Sequence, residues 1–250
     1  MDKYLFITGS EGQIGTAISK KFKESNWKVY GMDVLKKDKN IFLNNFFKGD
    51  VTDRDDFKSF FSFKDFKSKT SHVALINNAG VAVFSPSEER TYEEFKFVTD
   101  VNLLGPIFGI TEFYKNFKEF KKKNNDLRLS ILNIASIYGI SSPNNKIYTD
   151  TARNSSEIYG ATKAGLIQMT KYFATRYANE SIQVNCISPG GVLNESLQGK
   201  EFIENYSALV PMKRLCSEKE LAELTFSVVD CETTYFTGQN IIVDGGMTSW

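Results

Sequence analysis

The chain has 250 residues, 41% apolar and 24% charged, with 31 basic against 30 acidic side chains for a formal charge of +1. That length and apolar content suffice for one large α/β domain spanning 1–250, and the near-neutral balance excludes nucleic acid or an anionic membrane as the main partner. Cys186, Cys216 and Cys231 are too few and too far apart for a disulfide framework or a zinc site, no secretory segment opens the chain, and no apolar run approaches ~18 residues, so a cytoplasmic protein with no bound metal is expected.

In chain order, Lys3–Thr8 reads as a buried strand. It runs into the turn Thr8-Gly9-Ser10-Glu11-Gly12-Gln13-Ile14-Gly15 and then a helix over Ile14–Ser25. Glycines at a strand-to-helix turn let backbone approach a pyrophosphate, whose charge is favoured at the helix N-terminus. Lys28–Asp33 is the second strand. Asp33 stands 18 positions past Gly15, where a carboxylate accepts hydrogen bonds from ribose hydroxyls and repels a 2′-phosphate. Glu11 adds negative charge there, Lys36 and Lys37 soften the discrimination, and NAD is expected over NADP. Asn45–Lys48 is a third strand. Asp53–Lys67 carries Phe57, Phe60, Phe61, Phe63 and Phe66 as a helical stripe. His72–Ile76 is the fourth strand, and His72, the sole histidine, is expected to be structural. Tyr92–Lys123 supplies one or two helices around Gly105-Pro106, and Lys121 to Lys123 suit a helix C-terminus. Leu129–Ile134 is a fifth strand, followed by helix Ile158–Tyr177, strand Gln183–Ile187, helix Glu218–Val229 and strand Asn240–Val243. Strand–helix alternation with wholly apolar strands implies a doubly wound parallel sheet covered on both faces.

Three Tyr-x-x-x-Lys pairs occur: Tyr92/Lys96, Tyr114/Lys118 and Tyr159/Lys163. Residues four apart share a helix face. A cation beside a phenol, which ordinarily titrates near ~10, lowers it towards the pH at which proton transfer works. In open parallel sheets ligands bind beyond the carboxyl ends of the strands. Ser136 sits at that edge of strand five and Tyr159 follows it, so the third pair is selected; Tyr92 and Tyr114 are read as packing residues.

Together these motifs resemble the short-chain dehydrogenase/reductase family, over essentially the whole chain. The likeness rests on the glycine turn, Gly49-Asp50-Val51, Asn77-Asn78-Ala79-Gly80, Asn102, Ser136, Tyr159/Lys163, Ser188-Pro189-Gly190 and Val243-Asp244-Gly245-Gly246. It implies a single Rossmann-type domain. Tyr159 would be the acid–base group, with Lys163 lowering its pKa and binding the nicotinamide ribose. Ser136 would orient the substrate oxygen, and Asn102 would hold a water that relays protons. Asp50 and Val51 would meet adenine, Asn78, Ala79 and Gly80 would floor the cofactor cleft, and Pro189, Gly190, Gly191 and Val192 would lie against the nicotinamide. A homodimer or homotetramer would form through the helices bearing Tyr114 and Tyr159.

The sequence departs from the family pattern at three places. Gln13 stands where the usual turn has glycine, giving a spacing like that of the branch acting on nucleotide sugars. Asn194 replaces a threonine, and Ser136 and Tyr159 are 23 positions apart, with a polar insert over Ser141 to Ser156 between them. That insert suits a hydroxylated substrate, a sugar or sugar phosphate, with Lys146 or Arg153 receiving a phosphate or carboxylate and Asn194 nearby. Leu193–Val210 resembles a mobile lid. Val210–Arg214 and Gly246–Trp250 resemble members of surface-sugar biosynthesis. Two other readings stand beside an NAD-dependent sugar oxidoreductase: an NADP-preferring carbonyl or ketoacyl reductase, and a nucleotide-binding protein without turnover.

Overall fold

A computed structural model describes residues 1–35, 40–62, 70–149 and 155–249. Strands β1 (Asp2–Thr8), β2 (Lys28–Asp33), β3 (Asn45–Lys48), β4 (Thr70–Asn77), β5 (Arg128–Ile134), β6 (Ile182–Pro189) and β7 (Asn240–Val243) form one sheet in the order β3-β2-β1-β4-β5-β6-β7. Every pairing is parallel. The order reverses between β1 and β4, which is where a crevice opens in such sheets.

Helices α1 (Gln13–Glu24), α2 (Arg54–Phe61), α3 (Tyr92–Thr99), α4 (Gly105–Lys123), α5 (Glu157–Tyr177), α6 (Lys200–Leu209) and α7 (Glu218–Asp230) connect or cover these strands. Their apolar faces make two cores, one on each side of the sheet. The first is rich in aromatics. Phe6 of β1 lies 5.2 Å from Phe60, 5.3 Å from Phe61 and 5.8 Å from Phe117, ring centre to ring centre. The expected stripe Phe57, Phe60 and Phe61 is buried there; Phe63 and Phe66 lie outside the described residues. On the other face Ile18, Phe22 and Trp27 meet Leu221, Ala222 and Val229 of α7. His72 belongs to this interior, with Nε2 2.7 Å from the Ser130 hydroxyl and the Trp27 ring against it. Burial, with Arg128 and Lys3 nearby, holds its imidazole neutral, well below the usual range.

A row of polar side chains crosses this apolar interior. Asn77 Nδ2 donates to Asn133 Oδ1 at 2.8 Å, and Asn133 Nδ2 donates to Thr170 of α5 at 2.9 Å. Cys186 and Ser188 both donate to Asn240 Oδ1. Asn77, Asn133, Cys186 and Asn240 are register partners on successive strands.

The segment left open as one or two helices around Gly105-Pro106 is α3 passing into α4 through one widened π turn, Asp100–Leu104. Pro106 has no N–H to give the carbonyl of Asn102, and its ring crowds that carbonyl, so the turn relaxes outward. Tyr92 is not a packing residue: as the first residue of α3 it is 74% exposed. Tyr114 does pack, stacked on Tyr177 at 4.3 Å. Among the described residues no helix is long and apolar enough to cross a membrane.

Candidate active site

A cleft runs along the carboxyl edge of the sheet in two connected halves, of about 570 Å³ and 390 Å³. The larger half is built on the glycine turn. Gly9 has φ +63, and a Cβ there would come within 2.8 Å of Ala79 Cα; one at Gly15 would stand 2.1 Å from the Gly9 carbonyl. Only glycine allows the turn to fold this tightly against its neighbour. The Thr8 hydroxyl accepts from the backbone N–H groups of Asn78 and Ala79, while Asn78 Nδ2 donates to the Thr8 and Gly9 carbonyls. The Asn78–Gly80 turn is thereby fixed to the glycine turn and lies at the junction of both halves. Helix α1 starts at Gln13 without a side-chain cap, leaving its first N–H groups and positive dipole end available to an anion.

Gly9, Gly12, Gln13, Ile14, Gly15, Asp33, Asp50, Val51, Asn78, Ala79 and Gly80 all line this half. Asp33 is at the carboxyl end of β2, where one carboxylate oxygen accepts from the Glu11 N–H at 3.0 Å and the other from Leu35 N–H. Glu11 departs from expectation. Its side chain is buried rather than lining the cleft, and its Oε2 has no hydrogen-bond partner among the described residues; its N–H is bound to Asp33. Lys36 and Lys37 lie outside the described residues.

Ser136, Tyr159 and Lys163 meet in the smaller half, with Pro189, Gly190, Gly191 and Val192 across from them. The Ser156 side chain caps α5 by accepting from the Tyr159 N–H at 3.2 Å. This sets the first helical turn against the end of β5, with the Ser136 hydroxyl near enough to the Tyr159 phenol to favour its ionised form. Lys163, only 4% exposed, donates from Nζ to the Ile134 carbonyl at 2.8 Å and lies 5.7 Å from the centre of the Tyr159 ring. A Cβ placed on Gly80 would be 3.5 Å from both Lys163 Nζ and Asn102 Oδ1, so these groups converge.

The electrostatics differ from the simple pairing argument. Burial pushes the Tyr159 phenol up from its ordinary value, against the opposing pull of the Ser136 hydroxyl. Burial also pulls the Lys163 ammonium down to about 8. Both groups are desolvated together, and the ammonium is turned to a backbone carbonyl, so in the protein's own field Lys163 does not acidify the phenol. Asn102 is buried, and its side chain is held by Val81, accepting from the N–H and donating to the carbonyl at 2.8 Å each, with Thr162 Oγ1 3.5 Å from Nδ2.

Lys146 is exposed and does not line the cleft. Its neighbour Ile147 tucks in with Tyr206, Val210 and Leu215, which turns the lysine outward. Arg153 lies outside the described residues. Asn194 lines the larger half and not the substrate end. What the insert contributes is Tyr148 and Ser155. Tyr148 packs on Phe202 at 5.5 Å. Burial and the neighbouring phenols raise Tyr138, and Tyr206, whose hydroxyl accepts from Gly191 N–H, is pushed up to about 12. These walls were missed in sequence; the regular spacing Phe202/Tyr206 on a short helix was the available signal.

A family model described as enoyl-(acyl carrier protein) reductase matches residues 9–248. The 3β-hydroxysteroid dehydrogenase 1 of Eggerthella lenta is 31% identical over a stretch covering 69% of this chain and 62% of that enzyme, so the chain spans less than two thirds of its length. The glucose 1-dehydrogenase of Gluconobacter oxydans is 27% identical over 98% of this chain and 92% of that one. Among solved structures, a short-chain dehydrogenase from Leptospira borgpetersenii with bound NAD⁺ superposes with a TM-score of 0.86 at 35% identity, covering 99% of this chain and 93% of that one.

Proposed function

Because this chain belongs to the short-chain dehydrogenase/reductase family, whose members oxidise CH–OH groups or reduce the corresponding ketones with NAD(P), we propose that it transfers hydride between NAD and a secondary alcohol or ketone on an uncharged, hydroxylated ring, a sugar first among them. The observation that carries the reading is the convergence of Ser136, Tyr159 and Lys163 beside a glycine-turn cleft that ends on Asp33. NAD supports the hydride chemistry when bound. Gly9, Gly12, Ile14 and Gly15 would cradle its pyrophosphate, Asp33 its adenosine ribose, and Asp50 with Val51 its adenine.

Tyr159 moves the proton. In reduction the raised phenol gives its proton to the oxygen that becomes the alcohol, while Ser136 holds that oxygen in place. In oxidation Tyr159, whose phenolate the positive charge of a bound oxidised cofactor would favour, takes the hydroxyl proton, and the hydride released from the carbon would go to that cofactor. Lys163, with its ammonium already held near neutrality, is suited to pass charge to the ribose side, and Asn102 to the relay beyond.

The substrate half supports the choice of substrate class. Its walls are Phe84, Tyr138, Tyr148, Phe202 and Tyr206, and Lys163 is the one charged side chain among its described lining residues. Aromatic faces suit the C–H faces of a ring and phenol hydroxyls suit its oxygens, whereas a phosphate would meet no cation besides Lys163 among these described residues. This moves the reading from sugar phosphates to neutral sugars. Likeness to a glucose 1-dehydrogenase supports it, while the steroid enzyme makes an apolar ring the second reading. We extend the proposal to a cytoplasmic homo-oligomer serving carbohydrate synthesis, with Phe97, Phe120 and Tyr172, each half or more exposed on α3 to α5, as interface residues. A screen of NAD reduction across neutral sugars, sugar phosphates and hydroxysteroids tests the substrate. Turnover confined to phosphorylated sugars would overturn it.

A further inference from the structure

We infer that Gln13 and Asn194 form a strap over the cofactor cleft, one that must open before a bound dinucleotide can leave; the inference rests on the cofactor reading above. The two residues are two of the chain's three departures from the family pattern, and they meet. Gln13 Nε2 donates to the Leu193 carbonyl at 2.7 Å, and Asn194 Nδ2 donates to Gln13 Oε1 at 2.8 Å across 181 positions of sequence. One end stands at the start of α1, beside the glycine turn. The other is in the loop after β6, which lies beyond β4 and β5 from β1. The contact therefore spans the cleft mouth from one wall to the other.

The loop end is itself fastened. Gln198 Oε1 accepts from Asn194 N–H at 2.8 Å, Gln198 Nε2 donates to the Val192 carbonyl at 2.9 Å, and the Ser196 hydroxyl donates to Asn194 Oδ1 at 2.7 Å. Asn194 is thus held with its Nδ2 towards Gln13. Below the strap lies the Asn78–Gly80 turn, which lines both halves of the cleft. A dinucleotide reaching from Asp33 to Tyr159 must pass between this floor and that roof. Glycine at position 13 would offer no side chain for the strap, so each departure has its function only with the other.

Two hydrogen bonds between neutral groups are each worth about 0.5–1.5 kcal/mol net, so breaking both speeds opening by about 5- to 150-fold. The strap is tested by stopped-flow fluorescence of NADH release from the preformed complex, chased with excess NAD⁺. Gln13→Ala removes both bonds and is expected to raise the release rate by about 5- to 150-fold. Asn194→Ala removes one and gives about 2- to 10-fold. The double variant is expected to match Gln13→Ala, since nothing remains for Asn194 to hold. Gln13→Glu, which keeps an acceptor for Asn194 but loses the donor to Leu193, should fall between. Release rates within twofold of the parent in both single variants, or multiplied effects in the double variant, would overturn the strap. A parent protein that does not bind NADH at all would instead refute the cofactor reading, and the strap with it.

Discussion

Replacing Lys163 by methionine is expected to make the protein more stable at neutral pH and less stable at alkaline pH. The lysine is buried, with its ammonium held at about 8 against an ordinary 10.5. Below pH 8 it is protonated in both folded and unfolded chains, and burying that charge then costs about 3 kcal/mol of stability. As pH rises from 8 to 10.5 the folded protein has already released its proton and the unfolded chain has not, so the cost fades. Methionine fills a similar volume but forfeits the hydrogen bond to the Ile134 carbonyl, a loss of about 1 kcal/mol. The variant should therefore gain about 2 kcal/mol at pH 7, lose the gain near pH 10, and be about 1 kcal/mol worse above it. Urea unfolding of both proteins at pH 7, 9 and 10.5 reads this directly. A variant less stable than the parent at pH 7, or an advantage that does not change with pH, would refute the assignment of Lys163 as a buried, strained cation. A gain in stability accompanied by loss of turnover is the exchange expected of a residue kept for chemistry.

Tyr159→Phe should lower turnover by about 10²- to 10⁴-fold while NADH binding measured by fluorescence stays near the parent value; full activity would remove Tyr159 from the proton step. Because burial raises the phenol, alcohol oxidation by the parent should climb with pH above neutrality, and a flat profile from pH 6 to 10 would contradict that role. Asp33→Ala should narrow the NAD over NADP preference by about 10- to 100-fold, the worth of a charge-assisted hydrogen bond, as read from the ratio of kcat/KM values; an unchanged ratio would reject the ribose contact. Tyr148→Ala should raise the substrate KM about tenfold through lost wall contact, whereas Lys146→Ala, at an exposed position, should leave it unchanged; the opposite pattern would restore a charged substrate contact.

What the sequence reveals about this site is the part carried by local geometry. Gly9 and Gly15 declare a turn that no other residue can make. Asp33 ends an apolar strand at a countable distance from them, and Tyr159 with Lys163 share one helix face. Three strand ranges, Lys28–Asp33, Asn45–Lys48 and Asn240–Val243, agree with the sheet to the residue, because short apolar runs between turn residues have little freedom. What was hidden depends on meetings through space. Tyr148 and Phe202 stand far apart in sequence and come together only when Ile147 docks under α6. The direction of the Lys163 ammonium depends on which carbonyl ends β5. The polar composition of the insert suggested an anion site, yet among its described residues Ile147 is buried and Tyr148 half-buried against the pocket, since a loop's exposed residues dominate its composition while its few inward ones shape the pocket.

The transverse polar row has a further consequence for how the strands are held. In a parallel sheet covered on both faces the strands are apolar throughout, so sliding one past its neighbour by a residue would cost little in hydrophobic contact alone. Asn77, Asn133, Cys186 and Asn240 remove that freedom, because any slip would strand several amides in a dry interior at about 1–3 kcal/mol apiece. The alignment is thereby locked within a few residues of the strand tips, where β5 hands the chain to Ser136 and β6 to Gly190. Tolerances at the reacting groups are set by these teeth beneath them.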